Sequence, residues 1–352
     1  MTKVVRAATF LAAVLTLAAA TSVHAASECT TDGRYVMGTI LQLELCAPHR
    51  ERRQQVLDAA FAAAQRLDGL LTTYSPDSPT SRLNASAGKG PQALPPEVVE
   101  LLAASREYQL LTDGTFDVTV GPLVALWRDA GVTGRVPANA AIAAARARVG
   151  SGRIVLDGDG RAAALADAGM AVDFGGIGKG YALDRVAAGI RAAGVDSALL
   201  DFGRSSVWAL GHPPDAPAWH LLLEHPSRGP IGVIALRDGQ ALSVSGSLAQ
   251  GSEIAGRRYG HVLDPRSGWP LERDLLAAVV APSAELAEAL SKALLILGET
   301  DGIALLGRWP GVEALLADAD GRSWATSGWS AIVVRAEQEP QPARLSDASR
   351  AH

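Results

Sequence analysis

Apolar positions recur at three- and four-residue steps over residues 54–71, where Leu57, Ala60, Ala64, Leu67 and Leu71 share one face and predict a helix. The same period places Val98, Leu101, Leu102, Ser105 and Tyr108 on one face of a second helix over 96–112, stopped by Asp113-Gly114. Residues 35–45 alternate apolar and polar and read as a strand, as do 153–156 and 171–174. A short helix is expected over 137–149 and an amphipathic helix after Gly180. Beyond it the chain turns strand-rich: 198–202, 207–210, 219–224, 231–236 and 242–245 all look extended. Residues 256–270 read as a polar loop, 284–297 as a helix, 301–307 as a shorter one, and 312–317 and 330–334 as late strands. Helices mixed with hairpin-like strands, rather than alternating strand–helix–strand units, indicate an α+β fold.

Composition adds little to that picture but bounds the function. The 352 residues are 48% hydrophobic with a net charge of −5, enough for a large core. Mild acidity gives no electrostatic reason to expect nucleic acid. Residues 1–25 read as a secretory signal: Lys3 and Arg6 precede an apolar run over 7–20, and Val23-His24-Ala25 supplies small residues at a cleavage site. The same segment left uncleaved would be an N-terminal anchor. No later segment is long and apolar enough to span a bilayer, so the mature chain is expected to carry no transmembrane segment. Cys29 and Cys46 are the only cysteines, and an oxidising compartment permits a disulfide without requiring one. The expected organisation is a signal over 1–25, one domain over 26–335 and a polar, disordered tail over 336–352.

The chemistry concentrates in three places. Asp173-Phe174-Gly175-Gly176-Ile177-Gly178-Lys179-Gly180 sets four glycines and a lysine just before a helix. Such a turn lets backbone approach a ligand, and the helix start favours an anion, so a phosphorylated ligand is expected. It is not a Walker A loop, because Asp173 and Gly180 stand where glycine and Ser/Thr are needed, and its glycine spacing is not that of a Rossmann fingerprint. A glycine-rich turn whose lysine merely faces water is the alternative. The second place is residues 257–270, where His261 is a general base, a phosphate donor or a structural histidine, and Asp264 either serves chemistry or builds a turn with Pro265 and Gly268. The third is one helical face carrying Glu288, Ser291 and Lys292, which is otherwise an ordinary exposed ion pair.

Taken together these motifs resemble the FAD:protein FMN transferases, the ApbE family of flavin transferases. The likeness runs over 35–334 and follows the family's order: Met37-Gly38-Thr39, Thr73-Tyr74-Ser75 with Asp77, Ser78 and Asn84, residues 114–123, residues 173–184, residues 261–268 and residues 287–294. The resemblance implies an ApbE-like, T-fold-like arrangement of helices and antiparallel sheets around a flavin-binding cleft. It implies an enzyme that moves FMN from FAD onto a Ser or Thr hydroxyl of an acceptor flavoprotein and releases AMP. The alternatives are an FAD binder without transferase activity and an FAD pyrophosphatase. By motif position Met37, Tyr74, Thr115, Phe116, Asp117, Asp173, Lys179 and His261 would line the FAD site. Lys179, His261 and Asp264 would serve catalysis, with the proton acceptor left open between His261 and Asp264. Gly176, Glu288, Ser291 and Lys292 would mark the magnesium position. The exported form is expected in the periplasm, free or at the inner membrane.

The chain departs from the family pattern at that last site. Glu288 and Lys292 stand where Asp and Thr are usual, and Asp201-Phe202-Gly203-Arg204-Ser205 replaces an Asn-x-Gly-Gly-Asp segment. The strand end Val244-Ser245-Gly246-Ser247 likewise lacks the usual aspartate. A protonated lysine has no lone pair for a metal. Its ammonium would instead take the metal's place against phosphate.

Overall fold

The computed structural model describes residues 28–248 and 251–334. The proposed signal and tail lie outside them. An eight-stranded antiparallel sheet forms the frame, with strands β1 (Glu28–Val36), β2 (Thr39–Ala47), β3 (Ala198–Phe202), β4 (Ser206–Leu210), β5 (Gln240–Gly246), β6 (Leu275–Ala281), β7 (Glu313–Asp318) and β8 (Ser323–Ala325) side by side in chain order. Between β2 and β3 run six helices: α1 (Arg50–Leu71), α2 (Pro79–Ala85), α3 (Pro96–Leu111), α4 (Gly121–Thr133), α5 (Asn139–Arg146) and α6 (Gly178–Ala192). A small three-stranded sheet lies in the same insertion. Helix α7 (Ala284–Leu306) links β6 to β7 and breaks at Gly298, whose φ of 78° is not helical. That break accounts for the two helices the pattern predicts there.

Side-chain alternation decides what covers each face of the sheet. Leu41, Leu43, Leu45, Leu200 and Phe202 pack with Leu57, Phe61 and Leu67 of α1 and Tyr181, Val186 and Ile190 of α6. On β6, Leu275, Ala277 and Val279 face Leu290 and Leu294 of α7. The residues between them, Leu276, Ala278 and Val280, face Trp219, Leu223, Ile234 and Leu236 of a hairpin on the opposite side.

The expected strand over 35–45 is a hairpin instead. Met37 and Gly38, with φ of 50° and 79°, form its two-residue turn. Strand β6 escapes the pattern because its run of seven apolar residues is buried on both faces and carries no alternation. Residues 171–174 are not a strand; a single bridge joins Val120 to Ala171. Residues 256–270, read as a loop, include the short strand Arg257–Tyr259. In place of the strand expected over 330–334 there is a 3₁₀ turn, Trp329–Ala331, followed by the two-residue strand Val333–Val334. Cys29 and Cys46 face each other across β1 and β2 and are joined by a disulfide.

Candidate functional site

The glycine loop is held from both sides before it reaches α6. Asn84 acts as a strand partner, with Nδ2 donating to the Val172 carbonyl at 2.9 Å and Oδ1 accepting from the Val172 N–H at 2.7 Å. The Asp173 N–H donates to the Val118 carbonyl at 2.8 Å. The Asp173 carboxylate then accepts from the Gly175 N–H at 2.8 Å. A Cβ on Gly175 would come within 2.9 Å of that carboxylate, a contact the Asp173 side chain could relieve by shifting. Gly180 serves packing, since a Cβ there would lie 2.4 Å from the Ala284 carbonyl at the start of α7. This close approach brings Lys179 to the face of α7 that bears Glu288.

Lys179 Nζ donates to Ser205 Oγ at 2.8 Å and lies 3.7 Å from Glu288 Oε1. Glu288 is 0% exposed. Its Oε1 accepts from the Ser206 hydroxyl, while Oε2 has no partner among the described residues. Lys292 lies one turn further along α7 and is half-buried. Burial pulls its ammonium down to about 8, against the pull of the Glu288 charge. Asp201 lies on the other side of Lys179, and burial pushes its carboxyl up to about 6 although the Arg204 N–H donates to it at 2.7 Å.

His261 joins this group from the loop before β6. His261 keeps an exposed edge, and partial desolvation, then the Lys292 and Lys179 charges, pull its imidazole below the usual range, so it is neutral near pH 7. His261 also lines a cavity of about 290 Å³ with Tyr74, Trp127, Arg128 and Tyr259. Tyr74 is 83% exposed, and the Arg128 guanidinium sits 5.4 Å from its ring centre. The histidine that lines the aromatic cavity is thus also the one on which the two lysine charges act. A dinucleotide has that division: flat rings at one end of a doubly charged linker.

Other expected site residues are placed differently. Asp264 has both carboxylate oxygens taken by Arg266, at 3.0 Å each, so it builds the turn and does not stand free as a base. Asp117 is buried and accepts from the N–H and hydroxyl groups of both Thr119 and Ser151, which makes its carboxylate a fold anchor. Thr115 is buried, with its hydroxyl on the Thr112 carbonyl. Phe116 is also buried, edge-on to Tyr108 and beneath Gly176, so it is a floor to the glycine loop. Met37 occupies the β1–β2 turn, with its N–H on Asp68 Oδ2 at 3.0 Å. Sequence reasoning misses Ser206 and Ser243, and also Trp127, Arg128 and Tyr259. Nothing in their local spacing marks them.

The residues at the expected magnesium position do not fit that ion. Mg²⁺ demands near-octahedral oxygen coordination, anchored on one or two carboxylates. Among the side chains expected there the unpartnered oxygen donor is Glu288 Oε2, and Gly176 has only a main-chain carbonyl to offer. Ser291 Oγ donates to the Glu288 carbonyl at 2.9 Å and lies 2.9 and 3.0 Å from the hydroxyls of Ser245 and Ser243. Lys179 already pairs with the carboxylate, and the Lys292 charge, one turn along the helix, interacts favourably with it.

The ApbE family model matches residues 37–316. A Klebsiella pneumoniae FAD:protein FMN transferase is 30% identical over 284 residues, spanning 80% of this chain and 86% of its own length. The apo crystal structure of the Pseudomonas stutzeri flavinyl transferase ApbE superposes with a TM-score of 0.75 at 32% identity, covering 87% of this chain and 97% of that one. The Thermotoga maritima ApbE protein gives a TM-score of 0.79 at 24% identity over 88% of this chain and all of that one, a likeness of fold. With the ordered motifs, the shared sheet-and-helix frame and a match over most of its length, the chain belongs to the ApbE family.

Proposed function

We propose that this protein transfers FMN from FAD to a Ser or Thr hydroxyl of an acceptor protein, releasing AMP. The observation that carries the reading is the meeting of Lys179, Lys292 and His261 at one end of an aromatic cavity, in a chain of this family. The diphosphate of FAD lies against the two ammonium groups, which offset the charge that grows on the phosphoryl oxygens. Tyr74 and its neighbours hold a ring system. The acceptor hydroxyl attacks the phosphorus on the FMN side. An O–P bond forms there, the bond to the bridging oxygen breaks, and AMP carries that oxygen away. Neutral His261 takes the hydroxyl proton, since Asp264 is engaged by Arg266. A bound diphosphate also cancels the lysine charges that depress His261 and so raises its basicity as the substrate arrives.

The test is to incubate the purified protein with FAD and the acceptor proteins of its own cell. Covalent FMN on the acceptor, seen by mass, together with AMP release is the expected result. Free FMN without labelling would indicate a pyrophosphatase, and FAD left intact would indicate a binding protein; either would overturn transfer.

The same reading includes export to the periplasm. The charged and apolar pattern of 1–25 supports it, and so does the Cys29–Cys46 disulfide, which suits an oxidising compartment. No helix among the described residues is long and apolar enough to cross a membrane. Fractionation with a C-terminal tag checks the assignment, and a cytoplasmic location would refute it.

A further inference from the structure

We infer that the Lys292 ammonium is a built-in cation and that this site grips the FAD diphosphate without a divalent metal. The inference rests on the FAD reading above. It begins at Glu288, a carboxylate with no exposure whose Oε2 has no hydrogen-bond partner among the described residues. A buried carboxylate oxygen left in that state is costly, so a positive charge belongs beside it. Lys179 serves the other oxygen, at 3.7 Å. Lys292 is four residues along the same helix, on the same face, and its charge interacts favourably with Glu288.

A metal would find little to bind. The Ser291 hydroxyl is tied to the Glu288 carbonyl and sits among Ser243 and Ser245. Ser206 is spent on Glu288 Oε1, and Ser205 on Lys179. A divalent ion at Glu288 Oε2 would be set against two ammonium groups, and the other carboxylate near Lys179, Asp201, already accepts from the Arg204 N–H and is pushed up toward its protonated form. An anion suits the same place: Lys179 and Lys292 can each donate to a phosphoryl oxygen while Glu288 favours the charged form of Lys292. Ser206 on β4 then orients Glu288, while Ser243 and Ser245 on β5 hold Ser291 beside it. They do not ligate.

The experiment measures FAD binding, by calorimetry and flavin fluorescence, to the full-length mature protein in excess EDTA and in excess Mg²⁺. The wild type is expected to bind equally in both, and calorimetry with Mg²⁺ alone is expected to show no heat. Lys292→Met keeps the apolar stem and removes the charge; its affinity should fall about tenfold or more, with no recovery in Mg²⁺. Lys292→Thr replaces the ammonium by an oxygen donor beside Glu288, and its loss in EDTA should be largely restored by Mg²⁺. Thermal melts of each variant show whether a loss reflects unfolding, and Lys292→Arg, which keeps the charge, should retain metal-free binding. Wild-type binding that collapses in EDTA would overturn the inference. So would folded Lys292→Met that binds like the wild type. These outcomes separate from those of the transfer reading: metal-free FAD binding with no labelled acceptor removes transfer and leaves the clamp, whereas Mg²⁺-dependent labelling removes the clamp and leaves transfer.

Discussion

Single side chains here are tuned by burial more than by partners. Glu285 and Asp184, at the junction of α6 and α7, illustrate it. Asp184 caps α7, accepting from the N–H groups of Ala284 and Glu285 at 2.8 and 3.0 Å and from the Trp208 indole at 2.8 Å. Even so, burial pushes its carboxyl up to about 6. Burial, then the Asp184 charge, push Glu285 up from 4.5 to about 7. Linkage sets the sign of the consequence: the folded protein holds a proton on Glu285 that the unfolded chain has released above 4.5, so stability from this group is full below 4.5 and is lost as pH rises through 7. Glu285→Gln removes that liability. It is expected to stabilise the fold by about 1–2 kcal/mol at pH 8, after discounting for partial solvent screening, and by much less near pH 4. Thermal melts of both forms at the two pH values check this, and equal shifts would contradict it.

Among elements, the α6–α7 contact does most to assemble the site. It depends on Gly180, whose missing Cβ lets α6 meet the Ala284 carbonyl. Within the glycine run Gly180 has a packing purpose, set by the Ala284 backbone. A phosphate-binding reading of all four glycines is too generous. Gly180→Ala should force the helices apart, lower stability by about 1–3 kcal/mol, and weaken FAD binding by moving Lys179 away from Glu288. A melt with a parallel FAD titration measures both, and a variant that matches the wild type in each would dismiss the assignment. Helices α1 and α3 are legible in the sequence because each has one buried face, and α7 by its length and helix-forming residues although it is buried nearly all round over 286–295. Strand β6 is not, since both its faces are covered.

Across the complete domain, one sheet covered on both faces supports a cleft at the ends of α6 and α7 and the loop bearing His261. The sheet's outermost strand, β1, is tied to β2 by the disulfide, with 17 residues separating the cysteines. A link closing a loop of that length contributes about 3 kcal/mol by the chain-entropy account. Reduction should lower the melting temperature while leaving FAD affinity unchanged, because the lysine cluster is built on β3 to β5 and the two helices. Calorimetry with and without reductant tests it; a loss of FAD binding at temperatures where the reduced protein stays folded would show that the cleft depends on the edge strand.

The order of residues alone settles the class of fold and most helices, and it picks out the polar groups of the proposed site: Lys179, His261, Glu288 and Lys292 stand in short motifs whose residue types can carry chemistry. It also exposes the odd lysine at position 292. Which of these groups face one another is settled by packing. Glu288 and Lys292 on a surface helix would be a solvated pair; packed against β4 and β5, with Lys179 delivered by a neighbouring helix, they become a buried charge cluster. Asp117 and Asp264 carry the same kind of carboxylate and end as fold anchors, because their oxygens are filled by local donors. The difference is one of solvation and partners, and those belong to the packed chain.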